Sequence, residues 1–386
     1  MAIAGMQTEP STPERFLHYS RIAFRRIQGL PVSDTADDAT DLRDLFPLAH
    51  KHRMVGIFYA GTTRKTTTEL QRSALAQAQQ SARYTYAAIQ IKNKLQQAIS
   101  PAPILIKGPG LAIQAWPDPA LRAFDDFDFR CRREDFASFK KVALAAGYLP
   151  FHTNAEEAEH LWHYGWGVTF RHADGFYLEV NHRLFPTHFP CPASLAPPDH
   201  VSPVSEQLLD GERILLPTPA AHLVLASAHA LWHGGERLAW IADIAGLLVR
   251  HPDIMQPAQQ LCGNHTFLRR SLLTACLLAD QLFGPELAGW ETIKDNMRPQ
   301  INPHMLDACK TYRSQLTAPH PPCHATRRRL QRPLCSIREK LRACLLQALI
   351  PGDPDFSSLC LKPEQRNRYW LHRPLRILRE RIRANQ

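Results

Sequence analysis

The 386-residue sequence lacks the patterns that mark secreted, disulfide-bonded or membrane-spanning proteins. Its nine cysteines are scattered singly from Cys131 to Cys360 without a C-x-x-C pair, which favours reduced thiols over a disulfide framework or a zinc ribbon. Residues 1–15 contain no apolar core of signal-peptide length. The most apolar helical stretch, residues 220–232, is too short to cross a bilayer. We therefore expect a soluble, cytoplasmic protein without a transmembrane segment.

Several catalytic motifs are missing as well. The chain has no G-x-S-x-G elbow, and no cysteine stands in a recognisably activated setting, which argues against a serine or cysteine nucleophile. The glycines of Gly108-Pro109-Gly110 are not followed by the Gly-Lys-Ser/Thr of a Walker A loop. They are explained equally well by a turn at the end of a strand.

Acidic and basic residues are equal in number outside the last sixty residues of the chain. Residues 327–386 contain 15 Lys/Arg and 5 Asp/Glu, among them Arg327-Arg328-Arg329, whereas the other residues carry 31 of each sign. Such a basic segment can bind nucleic acid, an acidic membrane surface or an acidic partner. Because Leu371, Leu375 and Leu378 fall at helical intervals, we favour a solvated amphipathic helix face with weak, salt-sensitive and non-specific polyanion binding.

The order of helical and strand patterns predicts an α+β fold. Residues 66–97 are rich in good helix formers and have no internal Pro or Gly, and residues 220–249 and 266–283 also follow a helical pattern. Between them, short apolar runs predict strands, and Pro-rich stretches at 186–203 and 217–219 predict a linker. We expect a small mixed β-sheet core flanked by N-terminal and C-terminal helical regions. The predicted divisions are residues 1–100, 101–200 and 201–386.

Asp126 and Asp128 form the most informative pair in the sequence. In an extended strand their side chains point the same way, while Phe127 and Phe129 are buried on the opposite face. Adjacent carboxylates repel, so one would become protonated unless a cation lies between them. Mg²⁺ is a hard ion that takes oxygen ligands of this kind. The pair therefore predicts a divalent-metal site, although such pairs also occur on solvated loops.

A β-hairpin supplies a third carboxylate. The short connection Ala173-Asp174-Gly175 separates two alternating runs, residues 168–172 and 176–181, which is a strong hairpin signal. In the second run Glu179 and Asn181 share the polar face. Glu179 either completes a metal triad with the aspartates or faces solvent, and the periodicity alone leaves both open.

These segments resemble the uncharacterised nucleotidyltransferase-like family of the DNA polymerase β-like superfamily. The likeness lies in Leu105-Ile106-Lys107-Gly108, residues 116–122, Asp126-Phe127-Asp128, Leu178-Glu179-Val180, residues 229–234, residues 237–244 and residues 369–376. It touches most of the chain, and the carboxylate region is its most specific part. Family members are often found near polysaccharide or lasso-peptide biosynthesis genes.

The resemblance implies a nucleotidyltransferase-like core and an Mg²⁺-dependent enzyme, with Mn²⁺ as an alternative ion. The enzyme would move a nucleotidyl group from an NTP such as ATP to a hydroxyl of a peptide, sugar or protein acceptor. Asp126, Asp128 and Glu179 would be both the catalytic and the metal-binding residues, and Glu179 would complete the metal site or accept the acceptor's proton. The implied nucleotide-binding residues are Lys107, Gly108, Arg122 and Asn181. Nothing in the sequence selects the nucleotide or the acceptor.

Two positions depart from the family's pattern. The superfamily's Gly-Ser pair, which holds triphosphate, is replaced by Lys107-Gly108-Pro109-Gly110, so phosphate contact would come from Lys107 and from amides of the following helix. Asn181 stands where the family commonly has a histidine, and a carboxamide cannot transfer a proton. The alternative function is therefore a catalytically decayed transferase scaffold that binds or regulates through its basic C-terminal segment.

A second metal site is the weakest of the hypotheses. His229 and His233 are four residues apart and share one helix face, and Asp243 could join them in a metal hydrolase. The helix lacks the Glu of an H-E-x-x-H motif. Two histidines on an apolar helix are more often packing residues with satisfied nitrogens.

Overall fold

In the described part of the computed structural model, four α-helices precede the first strand. They are α1 (Thr12–Ile27), α2 (Phe46–Lys51), α3 (Val55–Gly61) and α4 (Thr68–Ala98). α1 begins with a capping box, in which the backbone amide of Ser11 donates a hydrogen bond to the Glu14 carboxylate. The residues that the structure describes are 11–32, 42–61, 68–151, 155–185, 204–209, 211–284, 295, 301, 303–318, 330–331, 334–351, 355–356, 359 and 361–384.

Five strands form one mixed sheet in the order β1-β2-β5-β4-β3. They are β1 (Ile104–Leu105), β2 (Asp126–Arg130), β3 (Tyr148–Pro150), β4 (Gly167–His172) and β5 (Tyr177–Asn181). β2 and β5 are parallel, and the other neighbouring pairs are antiparallel. A parallel pair needs a crossover connection, and here it contains β3, β4 and the helices α6 (Phe136–Ala145) and α7 (Ala155–Tyr164). A short helix, α5 (Pro109–Ala115), connects β1 to the segment before β2.

One face of the sheet is packed into an apolar core. Phe127, Phe129, Leu178 and Val180 are fully buried there, together with side chains from α4 and α6. Successive side chains on a strand point to opposite faces, so burying these four residues directs the carboxylates between them to the other face. The strand alternation read from the sequence is therefore confirmed on β2 and β5.

A β-hairpin and four helices follow the sheet. The hairpin consists of β6 (Val204–Leu209) and β7 (Glu212–Pro217). Strand β7 contacts β1, and its residues Ile214 and Leu216 are buried in the sheet core. The helices are α8 (Pro219–Trp232), α9 (Leu238–Arg250), α10 (Met255–Cys262) and α11 (Thr266–Phe283). They pack with α1 and α3 in a second, larger core.

The described residues near the end of the chain include three further α-helices: α12 (Pro303–Thr317), α13 (Ile337–Leu349) and α14 (Tyr369–Ala384). Tyr164, Phe356 and Tyr369 form a small apolar cluster that attaches the start of α14 to α7. None of the helices in the described ranges is long and apolar enough to cross a membrane.

The α+β fold with a small mixed sheet is confirmed, whereas the division at residues 100 and 200 stays a prediction. The predicted hairpin is confirmed as β4 and β5, and the predicted helix 220–249 is divided into α8 and α9. Strands β3, β6 and β7 and helix α7 were not predicted. The predicted linker at 186–203 and the run Arg327-Arg328-Arg329 lie outside the described residues.

Candidate active site

Three carboxylates meet where β2 and β5 run side by side. The parallel register pairs Asp128 with Glu179, and it pairs Asp126 with Tyr177 one pleat earlier. Asp128 is completely buried, whereas Asp126 and Glu179 are partly exposed. The sheet thus brings together all three residues that the sequence singled out, on the face opposite the apolar core.

Lys107 provides a positive charge within this cluster. Its Nζ donates a hydrogen bond to Asp128 Oδ1 over 2.9 Å, and it lies 5.9 Å from the centre of the Trp166 ring. The Nδ2 of Asn181 makes a longer, 3.5 Å contact with the same oxygen. Two of the predicted nucleotide-binding residues therefore contact Asp128 directly.

Crowding and burial alter the protonation of this cluster. Burial and the neighbouring Asp128 raise the pKa of Asp126, which Lys107 opposes. Burial, again with the charge of Asp128, raises the pKa of Glu179 to about 8, and a hydrogen bond from the protonated carboxyl to Asp128 adds to this rise. Burial alone would lower the pKa of Lys107, but the three carboxylates outweigh it and raise that pKa. At neutral pH the site thus favours a proton on Glu179 and an ammonium on Lys107.

Gly108 fits the turn that places Lys107 beside the carboxylates. Its φ of +60° and ψ of −125° suit glycine, and a Cβ there would lie 2.8 Å from the carbonyl oxygen of Asp126. The following helix, α5, has only seven residues, and the amide of Gly110 already donates to the carbonyl oxygen of Lys107. Gly108 therefore contributes through close backbone packing between this turn and β2.

Arg122 is engaged in a buried ion pair. Its Nε donates to both carboxylate oxygens of Asp243 on α9, over 3.0 and 2.9 Å, and Trp116 Nε1 donates to Oδ1 of the same carboxylate over 2.8 Å. Arg122 and Asp243 are both largely inaccessible to solvent. The pair joins the segment before β2 to the helical part of the molecule, so Arg122 shapes the wall of the site.

The suggested metal site on α8 is not formed. His229 and His233 do lie together, with ring centres 4.5 Å apart, and both contact Trp240. Asp243, however, is bound by Arg122 and Trp116, as described above. Burial and nearby cations lower the pKa of His229 well below its usual value, which is typical of a neutral packing histidine.

A pocket opens beside the carboxylates, between the sheet and helices α8 and α9. Predicted residues Lys107, Gly108, Arg122 and Asp126 line it. Sequence reasoning gave no role to the other charged and aromatic residues of its wall, which are Arg53, Phe124, Asp125, Arg237 and Trp240.

Arg237 lines this pocket and carries a charge suited to an anionic ligand. Its guanidinium lies 5.1 Å from the centre of the Trp240 ring, and no carboxylate in the described chain forms an ion pair with it. Burial and the charge of Arg53 lower its pKa, so it is a partly desolvated cation. By contrast, Arg53 is paired with Asp125. The only sequence signal for Arg237 was its place in the segment 237–244.

The three carboxylates are the type of ligand that a divalent cation binds, although their oxygens do not converge on one point. As they stand, no three His, Cys, Asp or Glu side chains in the described ranges could hold a metal ion together. The buried Oδ2 of Asp128 nevertheless has no hydrogen-bond partner among the described residues. A proton on Glu179 or a cation between the carboxylates would give it one. All the available donors are carboxylate oxygens, which fits Mg²⁺ or Mn²⁺.

Comparison with known families identifies the family of the chain. The chain belongs to a family described as uncharacterised nucleotidyltransferase, whose model matches residues 38–284 and thus every residue of the site described above. The family supports nucleotidyl transfer as the general role of the chain, with a nucleotide as a substrate. No curated protein and no solved structure matches the chain.

Proposed function

We propose that the protein transfers a nucleotidyl group from an NTP to a hydroxyl of a peptide, sugar or protein acceptor and releases pyrophosphate. Asp126, Asp128 and Glu179 would bind the Mg²⁺ or Mn²⁺ ion. The observation that carries this proposal is the β2–β5 register, which places Asp128 opposite Glu179 beside a pocket lined with cations. When bound, the metal would neutralise phosphate charge and polarise the reacting oxygens.

The cationic wall of the pocket would bind the triphosphate. Arg237 faces the pocket without a carboxylate partner in the described chain, and Lys107 lies on the side of the carboxylates. Trp240 offers an aromatic surface next to Arg237. Arg122 would hold the pocket wall in place through Asp243, since its Nε already binds that carboxylate. The positive charges of Arg237 and Lys107 would thus bind the triphosphate in place of the missing Gly-Ser pair.

Glu179 is the proposed acceptor of the hydroxyl proton. Without a metal its raised pKa of about 8 keeps it protonated at neutral pH. A bound cation beside it would lower that pKa and free the carboxylate to accept a proton. Asn181 would orient Asp128 through its amide and would take no part in proton transfer.

The test is transfer of label from each of the four α-³²P-labelled NTPs, with Mg²⁺ or Mn²⁺, to the protein or to added peptide and sugar acceptors. We expect Asp126→Asn, Asp128→Asn and Glu179→Gln each to reduce transfer by at least about a hundredfold. Asp253→Asn, in an exposed turn, is the matched control and should leave transfer unchanged.

Thermal shifts distinguish loss of binding from loss of chemistry. Mg²⁺ with the accepted NTP should raise the melting temperature of the wild type and of Asp253→Asn by ligand linkage, and should raise that of Asp128→Asn less. Equal shifts in all variants would contradict the metal assignment. Binding of NTP without transfer to any acceptor would instead favour the decayed scaffold.

A further inference from the structure

Helix α14 presents an apolar stripe to solvent. Its residues recur at intervals of four, three and four, which places them on one face of a helix. They are Leu371, Leu375, Leu378 and Ile382, with exposed fractions of 75%, 54%, 56% and 51%. An exposed row of four large aliphatic side chains is a marker of an interaction surface.

The opposite face of α14 attaches the helix to the rest of the molecule. Tyr369 is fully buried against Tyr164 and Phe356. Arg373 and Arg376 bind the buried carboxylate of Asp355 over 2.5 and 2.6 Å. Because these anchoring residues lie about half a turn away from the leucines, the apolar stripe faces outwards by construction.

Helix α13 repeats this arrangement. It contacts α14, and its residues Ile337, Leu341 and Leu345 recur every fourth position with exposed fractions of 75%, 67% and 59%. We call these three residues, together with the four of α14, the leucine surface. The surface lies outside residues 38–284, the part of the chain that the family shares.

Positive charge accompanies the leucine surface. Residues 327–386 carry a net charge of +10, and Arg338, Lys340, Arg342 and Arg379 are exposed on the same two helices. A second copy of the chain would bring two arginine-rich segments together, which like charges oppose. Nucleic acid would neutralise the arginines but would leave the leucines in water. An anionic lipid surface satisfies both features, because its headgroups bind cations and its acyl boundary accepts apolar side chains.

We propose that α13 and α14 bind the protein to the surface of an anionic membrane. The leucine surface enters the boundary between headgroups and acyl chains, and the neighbouring Lys and Arg side chains bind lipid phosphates. The helices lie in the plane of the membrane and do not span it. The pocket of the transferase-family segment then works beside a lipid bilayer, whatever acceptor it uses.

Co-sedimentation of the full chain with lipid vesicles tests the proposal. We expect the wild type to bind vesicles that contain phosphatidylglycerol, to bind pure phosphatidylcholine at least about tenfold more weakly, and to be released by salt. Leu375→Ser/Leu378→Ser should weaken binding by about tenfold or more, since each exposed leucine loses its burial in lipid. The matched control is Leu75→Ser/Leu149→Ser, at two similarly exposed leucines on α4 and β3, which should bind like the wild type.

Two further measurements test whether a second copy of the chain or nucleic acid binds the leucine surface instead of a membrane. Unchanged vesicle binding by Leu375→Ser/Leu378→Ser would overturn the proposal, as would absence of binding to anionic vesicles. Analytical ultracentrifugation that shows a dimer lost in this variant, without vesicle binding, would assign the surface to a second copy. Binding to duplex DNA that is lost in Arg338→Gln/Arg342→Gln/Arg379→Gln but kept in the leucine variant, without vesicle binding, would assign the segment to nucleic acid. Melting temperatures should be nearly equal in all variants because the altered side chains are exposed.

Discussion

Glu179 shows how a single side chain responds to the crowding of the site. Its pKa is raised from the usual 4.5 to about 8, so the folded protein binds a proton that the unfolded chain releases between these values. A raised folded-state pKa contributes stability that is fully present below pH 4.5 and is lost as the pH rises through 8. A pKa difference of one between the folded and unfolded states corresponds to about 1.4 kcal/mol of unfolding free energy.

We therefore predict that the stability advantage of the wild type over Glu179→Gln shrinks as the pH rises from about 5 to 8. Glutamine keeps the shape and the hydrogen-bonding ability of the protonated carboxyl but cannot titrate. Urea denaturation of both proteins at pH 5, 6.5 and 8 measures the difference in free energy of unfolding. A pH-independent difference would show that Glu179 titrates normally.

The ion pair of Lys107 with Asp128 gives a second prediction at the scale of residues. Lys107→Met leaves the fully buried carboxylate of Asp128 without its cation and should destabilise the fold by about 3 kcal/mol. Lys107→Met/Asp128→Asn should recover most of that loss, because no buried charge remains. A double-mutant cycle measured by urea denaturation gives the coupling energy.

The exposed pair of Arg15 and Asp44 is the control for this cycle. Its coupling should stay below about 1 kcal/mol, as is usual for surface ion pairs. Similar coupling energies for the two pairs would mean that the solvent reaches Asp128 and that its burial has no energetic effect.

Among the structural elements, the turn between β1 and α5 leaves little room for a side chain at Gly108. Gly108→Ala places a Cβ 2.8 Å from the backbone of β2 in addition to the cost of a positive φ. Gly211 also has a positive φ, +81°, but a Cβ there meets no atom within 4 Å. Both substitutions therefore carry the cost of a positive φ, and Gly108→Ala adds a steric clash with β2.

We predict that Gly211→Ala costs about 1 kcal/mol of unfolding free energy and that Gly108→Ala costs at least about 2 kcal/mol more. Thermal denaturation of the two variants measures the difference. Equal losses would indicate that β2 moves away easily, and Lys107 would then not be positioned by this turn.

The elements also show which parts of the site were readable from sequence. Alternation placed Asp126 and Asp128 on the polar face of one strand and Glu179 on the polar face of a second strand, because a two-residue period is a local property. The parallel pairing of β2 with β5 was not readable, since it depends on a crossover of some 45 residues. The hairpin β6–β7 was missed because prolines precede and follow it and its alternation is weak. The contact of Arg122 with Asp243 spans 121 residues and leaves no local signal.

At the scale of the whole molecule, buried histidines set the response to acid. Burial lowers the pKa of His52 to about 4 and those of His182 and His222 to about 3. The unfolded chain binds protons at these histidines near pH 6.5, while the folded protein does not. Stability should therefore fall as the pH decreases from 6.5 towards 4, by about 1.4 kcal/mol per pH unit for each histidine.

This slope is best measured in Asp126→Asn/Glu179→Gln, where two of the three carboxyls of raised pKa no longer contribute with the opposite sign and only Asp243 remains. Urea denaturation between pH 4.5 and 6.5 gives the number of protons taken up on unfolding. A flat profile would mean that the histidines are charged in the folded protein.

The ammonium of Lys107 has a consequence for how the protein is handled. The charge that balances Asp128 belongs to the chain itself and cannot be removed by a chelator. We predict that treatment with EDTA abolishes nucleotidyl transfer while leaving the melting temperature within about 2 °C of the untreated value. Differential scanning fluorimetry before and after chelation makes the comparison. The catalytic ion would thus bind reversibly to the folded protein, and the newly synthesised chain would fold without a metal ion.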